Sequence, residues 1–370
     1  MIYITTYHDS INYGAALQSY ALQNYLKNIG YESKLIKIKK SVKPWKKRFK
    51  LIKTNASGFI KLIITDVFRF INRKEIEKGE KNFQEFFAKY HNTTNEYNSF
   101  EELKLNPPVS DMYISGSDQV FNPLAKKPWF FLEFGGENVR RISYAASVGI
   151  DTVPEDKKDL FKNGLKNFDV ISVRESESKE LVEKYYGKKV SVNVDPTLLI
   201  RQKEWDAIKN DSYCAGIKKS YALVYAFYTP KWLSKKLREI HKNTGLDIVV
   251  LSYNGFVKIY HNKIIMNAGP AEFLKLVSEA DMIISSSYHG CIFSMIYEKP
   301  FYAVVNTNAK TRISSLLSLF DLKKRVLSED TRIDMDIDID YNNIKNKIER
   351  ERERTKEYLT KAIEGEVYEY

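Results

Sequence analysis

The chain has 370 residues, of which 43% are hydrophobic and 29% charged, and its formal net charge is +12. This balance is that of a soluble globular protein, and the length predicts two domains with separate cores. The positive charge suits an anionic substrate or an acidic membrane surface. It would also suit a nucleic acid, but the sequence has no pattern typical of a nucleic-acid-binding module, so we expect no such partner.

Two sequence features predict a cytoplasmic location. Cys214 and Cys291 lie far apart and outside any metal-ligand spacing, which indicates free thiols in a reducing compartment. The first residues lack the basic and apolar regions of a signal peptide, and the apolar segment 59–71 is too short and too charged to span a bilayer.

The first half of the chain alternates between predicted strands and helices. Residues 2–7 predict a buried strand, a polar loop follows, and apolar residues at helical spacing predict a helix that ends at Gly30. Residues 39–100 are basic and mostly helical in pattern, and we interpret them as an insertion. Further strands are predicted at 31–38, 111–116, 140–147, 169–175 and 189–195, with a helix at 176–186.

The second half repeats this alternation, which is typical of a parallel α/β sheet. Strands are predicted at 221–228, 247–253, 263–269, 281–287 and 300–305, with helices at 231–243, 270–280 and 291–299. A charged helix is predicted for about the last thirty residues. The pattern predicts two Rossmann-like domains, 1–200 and 201–370, that face each other across a cleft.

A basic segment lies inside the first half. Residues 34–50 carry nine Lys or Arg and no acidic residue. Such a run is either a solvated face or, with Trp45 and Phe49 interleaved, a contact for anionic lipid head groups. On the second interpretation the protein binds peripherally at the inner face of the plasma membrane.

His289 is the first candidate for chemistry, because it joins a predicted strand to a predicted helix in a Ser-rich turn. Helix N-termini bind anions, a His can donate a proton near neutral pH, and Gly290 would admit a ligand close to the backbone. Ser286 and Ser287 lie in the same turn and are candidates for the same anion site. The alternative is a histidine that caps the helix beside capping serines.

Arg174 ends the predicted strand 169–175. Arg binds a carboxylate or a phosphate in a two-pronged geometry that Lys cannot match. The alternative is an ion pair with Glu175 or Glu177 at the start of the following helix.

The loop after strand 111–116 contains Ser117, Asp118 and Gln119, which offer polar groups to sugar hydroxyls. Asp118 is also a candidate general base. Alternatively, Ser117 and Asp118 cap the following turn.

Two further loops carry polar residues. Asn12, Tyr13 and Gly14 precede the first helix, where they would either cap it or hold a ligand. Asp195, followed by Pro196, is interpreted as a hinge and cap at the junction of the two halves.

The remaining candidates are weaker. Lys310 and Arg312 follow the predicted strand 300–305, where they would either reach a phosphate or remain solvated charges. No cluster of His, Asp or Glu has metal-ligand spacing, and neither a Walker loop nor a GxGxxG turn is present. The other four histidines are interpreted as surface or structural residues: His8, His91, His241 and His261.

An ordered set of sequence blocks resembles the polysaccharide pyruvyl transferase family. They include NYGAALQSYALQ, ISGSDQVFNP, SVRESES and a long block that contains SSSYHG, and they lie at 12–23, 114–123, 143–149, 172–178, 194–199, 269–301 and 312–322. The resemblance implies a two-domain fold similar to GT-B glycosyltransferases. It also implies transfer of an enolpyruvyl-derived group from phosphoenolpyruvate, a co-substrate, to a sugar acceptor that in one form is lipid-linked.

The resemblance also assigns roles to residues. His289 matches the family's acid, Arg174 matches an arginine that pairs with the donor anion, and no cofactor or metal is implied. The arginine expected two residues before the acid is Ser287 here, and Arg312 or Lys310 would compensate. Two alternatives remain: a nucleotide-sugar glycosyltransferase, with Glu298 on a ribose, and a non-catalytic scaffold of a polysaccharide assembly complex.

Overall fold

The computed structural model of the protein describes residues 1–39, 65–125, 127–253, 257–306, 311–333 and 339–366. Its first domain is built on a parallel sheet in the strand order β3-β2-β1-β4-β5. These strands are β1 Ile2–Thr5, β2 Ser33–Ile38, β3 Thr93–Tyr97, β4 Met112–Ser115 and β5 Arg140–Ser143. The short parallel strands β6 Ser172–Val173 and β7 Ser191–Val192 continue the sheet through single bridges to the region of β5.

The central strands are apolar because the sheet is covered on both faces. Ile4 of β1 is in register with Ile114 of β4, and both side chains are fully buried. The helices of this domain are α1 Tyr13–Asn28, α2 Arg73–Tyr90, α3 Phe100–Leu105, α4 Lys158–Leu165 and α5 Ser176–Tyr186.

One strand was missed by the sequence analysis. Residues 93–97 lie inside the segment interpreted as a helical insertion, yet they form the edge strand β3, parallel to β2. The sequence of β3, TTNEY, is polar, and none of its residues is fully buried. It therefore lacks the alternation of apolar and polar residues by which strands are recognised. Residues 40–64 of the same segment lie outside the described residues.

The second domain has the same strand order as the first, written β10-β9-β8-β11-β12, and all its strands are parallel. They are β8 Tyr221–Tyr225, β9 Asp247–Leu251, β10 Lys263–Ile265, β11 Met282–Ser285 and β12 Phe301–Ala303. The helices that follow the first domain are α6 Gln202–Ile208, α7 Leu233–Thr244, α8 Pro270–Glu279, α9 Tyr288–Ile296, α10 Thr311–Leu319 and α11 Tyr341–Glu364.

Helix α1 packs against α8 and α9 of the second domain. The Tyr13 ring stacks on Phe273 with ring centroids 4.9 Å apart, and its hydroxyl donates a hydrogen bond to the carbonyl of Ala268 at 3.0 Å. The apolar core is therefore continuous from one domain to the other.

The C-terminal helix α11 returns to the first domain. The Tyr358 hydroxyl donates to the carbonyl of Ser143 at 2.8 Å, and Arg352 Nε donates to the carbonyl of Leu198 at 2.8 Å. Of the helices in the described ranges, none combines the length and the apolarity needed to cross a bilayer.

Candidate active site between the two domains

The carboxylate of Asp195 lies at the centre of the candidate site. Asp195 follows β7 and is fully buried. Its Oδ1 accepts hydrogen bonds from the backbone N–H of Thr197 at 3.0 Å and from the Thr197 hydroxyl at 2.7 Å. One oxygen therefore caps the following 3₁₀ turn, as the sequence predicts, and the other is available for a different task.

Side chains from three loops lie around the second oxygen, Oδ2. It accepts hydrogen bonds from Arg174 Nη1 at 2.9 Å and from the Ser117 hydroxyl at 3.1 Å. His289 Nε2, from the second domain, lies 3.3 Å away, within ion-pair distance but without the alignment of a hydrogen bond. The structure thus brings together Arg174 and His289, the two strongest candidates from the sequence.

The charges of this cluster support one another. Burial alone would raise the pKa of Asp195, but His289 and Arg174 hold it well below its usual value. Burial likewise opposes the charge of Arg174, but Glu175 and Asp195 raise its pKa above the usual value. Arg174 Nε donates to the Glu175 carboxylate at 2.9 Å, which is the ion pair that the sequence analysis kept as an alternative. Arg174 therefore forms the ion pair with Glu175 and also binds Asp195 beside His289.

The His289 imidazole is held between Asp195 and Gly14. His289 lies in the first turn of α9, and its side chain is 8% exposed. A Cβ added to Gly14, in the first turn of α1, would overlap the imidazole at Nδ1. Gly14 is therefore a contact of the candidate acid, and no larger residue fits there without moving the ring.

A cavity of about 330 Å³ lies beside this cluster, between the domains. Its wall includes Arg174, Asn193, Tyr288, Arg312 and Arg354, but not His289. The guanidinium carbon of Arg174 lies 4.1 Å from the centroid of the Tyr288 ring. Three arginines on one wall favour an anionic ligand.

Several polar atoms of the cavity wall lack hydrogen-bond partners. Arg174 Nη2 and both amide atoms of Asn193 are buried and make no hydrogen bond within the described part of the chain. Burial and the charge of Arg174 lower the pKa of Arg312. An anion in the cavity would accept hydrogen bonds from Arg174 Nη2 and from Asn193 Nδ2, and it would stabilise the charge of Arg312.

Arg312 also connects the cavity to the predicted acceptor loop. With the amide of Gln119 oriented so that its oxygen faces Arg312, that oxygen accepts hydrogen bonds from both terminal guanidinium nitrogens, at 2.7 and 2.9 Å. The preceding residue, Asp118, is half-buried and has φ 69° and ψ −170°. Only glycine adopts this region readily, so the backbone there stores about 1–3 kcal/mol of strain, a feature common at functional sites.

The turn 285–290 is built differently from the expectation of a donor-binding loop. The Ser286 hydroxyl accepts hydrogen bonds from the N–H groups of Phe227 and Tyr228, both at 2.8 Å. Ser287 caps α9 by accepting from the N–H of Gly290 at 3.3 Å. Both serines are occupied by the protein itself.

The packing gives structural roles to three further candidate residues. A Cβ at Gly290 would overlap the Ser285 hydroxyl, so the glycine is required by close packing of α9 on β11 rather than by a ligand. Asn12 caps α1 by accepting from the N–H of Ala15 at 3.0 Å. Tyr13 belongs to α1 and is fully buried, which leaves no surface for an acceptor. Lys310 lies outside the described residues.

Sequence reasoning missed three residues of the site: Asp195 as a shared partner, Asn193 and Arg354. Asn193 and Asp195 both follow the short strand β7, and Asp195 lies in the block 194–199 that resembles the family, so the position of Asp195 was a usable signal. Arg354 lies on the charged helix α11, where nothing distinguishes it from its neighbours. Within the described ranges no group of three or more His, Cys, Asp or Glu side chains is placed to hold a metal ion.

Solved structures with the same arrangement of two domains define the class of fold. A UDP-GlcNAc 2-epimerase from Methanocaldococcus jannaschii is 12% identical, with 94% of this chain and 91% of that chain covered and a TM-score of 0.51. Another UDP-N-acetylglucosamine 2-epimerase is 11% identical, with 100% and 97% covered and a TM-score of 0.53. At these identities the likeness shows the fold alone. It confirms the predicted α/β fold of two Rossmann-like domains, which is GT-B-like.

The sequence narrows this class further. The family described as "Polysaccharide pyruvyl transferase" matches residues 12–308, which include Asp118, Arg174, Asp195 and His289. The chain belongs to the polysaccharide pyruvyl transferase family, whose members are transferases. No curated protein is similar enough in sequence to be matched to it.

Proposed function

We propose that this transferase moves a pyruvyl group from phosphoenolpyruvate to two hydroxyls of a sugar and forms a ketal. The observation that carries the proposal is the cavity with Arg174, Arg312 and Asn193 on its wall, next to the pair formed by Asp195 and His289. Phosphoenolpyruvate has a phosphate and a carboxylate, and these two anionic groups match the arginines and the unpaired amide.

The chemistry assigns one step to each group. His289 donates a proton to the methylene carbon of the donor, which leaves C2 cationic, and a sugar hydroxyl attacks C2 and loses its proton. The second hydroxyl then displaces phosphate from C2, which gives the ketal and inorganic phosphate. Asp118 positions or deprotonates the acceptor hydroxyl, while Asp195 fixes the position of the imidazole.

Access to His289 sets a condition on this mechanism. Because its side chain is 8% exposed and lies between Asp195 and Gly14, the donor carbon reaches it only when the domains separate slightly. Closure around substrates is common in two-domain transferases because it excludes water from reactive intermediates. The mechanism therefore requires an opening that admits the donor to His289 before the domains close around the bound donor.

In this proposal Arg312 supplies the charge of the arginine that family members have at the position of Ser287. Its guanidinium lines the same cavity as Arg174, and the carboxylates of Asp118 and Glu175 favour its charged form. The missing charge is thus supplied from α10 instead of from the turn before α9.

A nucleotide-sugar glycosyltransferase is the second candidate, and one observation counts against it. Glu298, the residue assigned to a ribose in that case, is ion-paired with Lys345 at 2.8 Å. Thermal-shift titrations with phosphoenolpyruvate and with UDP-sugars separate the two functions. We expect stabilisation by phosphoenolpyruvate that is absent in Arg174→Ala and Arg312→Ala, whereas stabilisation by UDP-sugars alone would favour the second candidate.

We further propose a cytoplasmic protein that binds peripherally to anionic lipid at the inner face of the plasma membrane, in cell-surface polysaccharide biosynthesis. Most of the basic run 34–50 lies outside the described residues. Further along the chain, after residues 40–64, the described structure exposes Val67, Phe70 and Ile71, with Phe70 78% exposed. Exposed apolar side chains and a basic segment are together typical of an interfacial contact, and an acceptor linked to lipid would be presented at the membrane surface. Co-sedimentation with phosphatidylglycerol vesicles that a Phe70→Ser change leaves undiminished would argue against this contact.

A further inference from the structure

A second cavity, of about 460 Å³, lies at the sheet of the first domain, on residues that the proposed donor site does not use. His8 and Asp9 follow β1, while Lys37 and Glu96 lie near the ends of β2 and β3. His91, the residue that ends α2, completes the wall. Ligands in open α/β sheets bind beyond the carboxyl ends of the strands, so this position is suited to a substrate.

The protonation of His91 follows from its hydrogen bonds. Nε2 lies 3.1 Å from the carbonyl of Ala16, and because a carbonyl only accepts, Nε2 carries the proton. Burial, with a smaller effect from His8, lowers the pKa of His91 to about 3, so the ring is neutral at physiological pH. Nδ1 is consequently a bare acceptor, and it is buried with no hydrogen-bond partner in the part of the chain that the structure describes.

The ring of His91 is fixed in this orientation. Phe87 stacks on it with centroids 5.2 Å apart and an interplanar angle of 24°, and Phe86 meets it edge-on at 5.8 Å. The Ser19 hydroxyl lies 3.3 Å from Nε2, on the side already occupied. Since His91 also lines the cavity, a hydrogen-bond donor bound there that reaches Nδ1 would satisfy it.

The other side chains of the wall decide which kind of donor fits. Lys37 and Glu96 form an ion pair at 3.5 Å, and their side chains are 42% and 43% exposed. Both can therefore still form hydrogen bonds with a ligand. With Asp9 the wall has two carboxylates and one ammonium, which disfavours an anion. Gln84 adds an amide, and the Phe87 ring adds an apolar surface. This mixture of donors, acceptors and an aromatic ring is suited to a neutral molecule with several hydroxyls.

The two sites share helix α1. His91 is bonded to the carbonyl of Ala16, and His289 lies against Gly14, so the first turns of α1 separate the cavity from the candidate acid.

We propose that this cavity is the subsite for a neutral hexosyl residue of the acceptor, with one of its hydroxyls donating to His91 Nδ1 and others bonded to Lys37 and Glu96. This proposal rests on the proposed function in one respect: the sugar bound in the cavity is taken to be the acceptor of the transfer. It replaces the buried Tyr13 and the capping Asn12 as the acceptor contact of the first domain.

The test is a titration with methyl glycosides and with disaccharides of glucose, galactose and mannose. Binding is followed by saturation-transfer NMR and by the ¹⁵N resonance of His91 Nδ1. His91→Phe keeps the aromatic packing and removes the acceptor atom, and we expect about tenfold weaker binding, the effect of one hydrogen bond. Lys37→Ala should weaken binding about threefold, while Lys81→Ala, an exposed lysine paired with Glu85 on α2, is the matched control with no effect.

The outcomes separate this inference from the proposed function. Unchanged sugar affinity in both His91→Phe and Lys37→Ala, or no shift of the Nδ1 resonance with any saccharide, overturns the subsite. Since His91→Phe also removes the hydrogen bond to Ala16, the folding of this variant is checked by thermal unfolding. If His91→Phe does not fold, the result with Lys37→Ala alone tests the subsite. Sugar binding without phosphate release from phosphoenolpyruvate would overturn the proposed function and leave the subsite intact.

Discussion

Oδ2 of Asp195 lies 3.3 Å from Nε2 of His289, and the two residues belong to different domains. The imidazole is therefore positioned by a carboxylate that it meets only when the domains are docked. Because the same oxygen accepts from Arg174, the candidate acid and the candidate anion-binding arginine are fixed relative to each other by one buried group.

Replacing that group gives the first prediction. Asp195→Asn removes the charge that compensates buried Arg174 and orients His289, so we expect activity to fall at least a hundredfold. Loss of one partner from a buried ion pair typically costs about 3–5 kcal/mol of unfolding free energy. Urea denaturation at pH 7 measures this loss, and unchanged stability would contradict the assigned contacts.

The pH dependence of this stability has a defined sign. The pKa of Asp195 is 3.8 in a model compound and is lowered in the folded protein, so the carboxylate stabilises the fold fully above about pH 3.8. As the pH falls below that value, the unfolded state takes up the proton first and the stabilisation is lost. The difference in stability between the wild type and Asp195→Asn should therefore be constant near neutrality and shrink below pH 3.8.

Gly14→Ala tests the contact between the domains at the acid. The added Cβ would overlap the His289 imidazole at Nδ1, so the ring must shift from its position beside Asp195 Oδ2. We expect a lower kcat with a nearly unchanged melting temperature. Gly136→Ala is the matched control, because its Cβ meets no described atom within 4 Å. Equal kcat in the two variants would show that the position of the imidazole is unimportant.

Arg312→Ala tests the anion cavity. We expect at least tenfold weaker binding of phosphoenolpyruvate and of inorganic phosphate, because one desolvated guanidinium is lost from the wall. Arg350→Ala, on the exposed face of α11, serves as the control for the change in net charge. Isothermal titration calorimetry at two salt concentrations separates the local effect from the general field. The same affinity in both variants would remove Arg312 from the site.

Asp118→Gly separates strain from function. Asp118 has φ 69°, a conformation that glycine adopts without strain, so the substitution should raise the unfolding free energy by roughly 1 kcal/mol. The same change removes the carboxylate proposed to act on the acceptor, so transfer should slow. Asp118→Asn keeps the strain and removes the charge. A variant Asp118→Gly that is less stable than the wild type would contradict the strain argument.

Local patterns predicted most of the fold and part of the site. Apolar runs with helical or strand spacing identified the repeated α/β units, and the Ser-rich turn before α9 identified His289. The edge strand β3 was missed because its residues are polar. The strands predicted at 169–175 and 189–195 were too long, since β6 and β7 have only two residues each.

The role of Asp195 was beyond what local sequence can show. Its Oδ1 caps a turn with Thr197, which is a local feature and was predicted. Its Oδ2 meets Ser117, Arg174 and His289, which come from separate loops and are brought together only by the docking of the domains. His91 was interpreted as structural for the same reason, since its bond to Ala16 and the burial of Nδ1 without a partner in the described part of the chain depend on tertiary contacts.

The most direct test of the account is turnover of phosphoenolpyruvate with a lipid-linked or nitrophenyl sugar acceptor, with phosphate release and the acid-labile ketal measured together. The account predicts both products in equal amounts from the wild type and from His241→Ala, whose imidazole lies on α7 and is bonded to the carbonyl of Leu246. His289→Ala should lower both rates by about 10² to 10⁴. Equal rates in His289→Ala and the wild type would contradict the central claim.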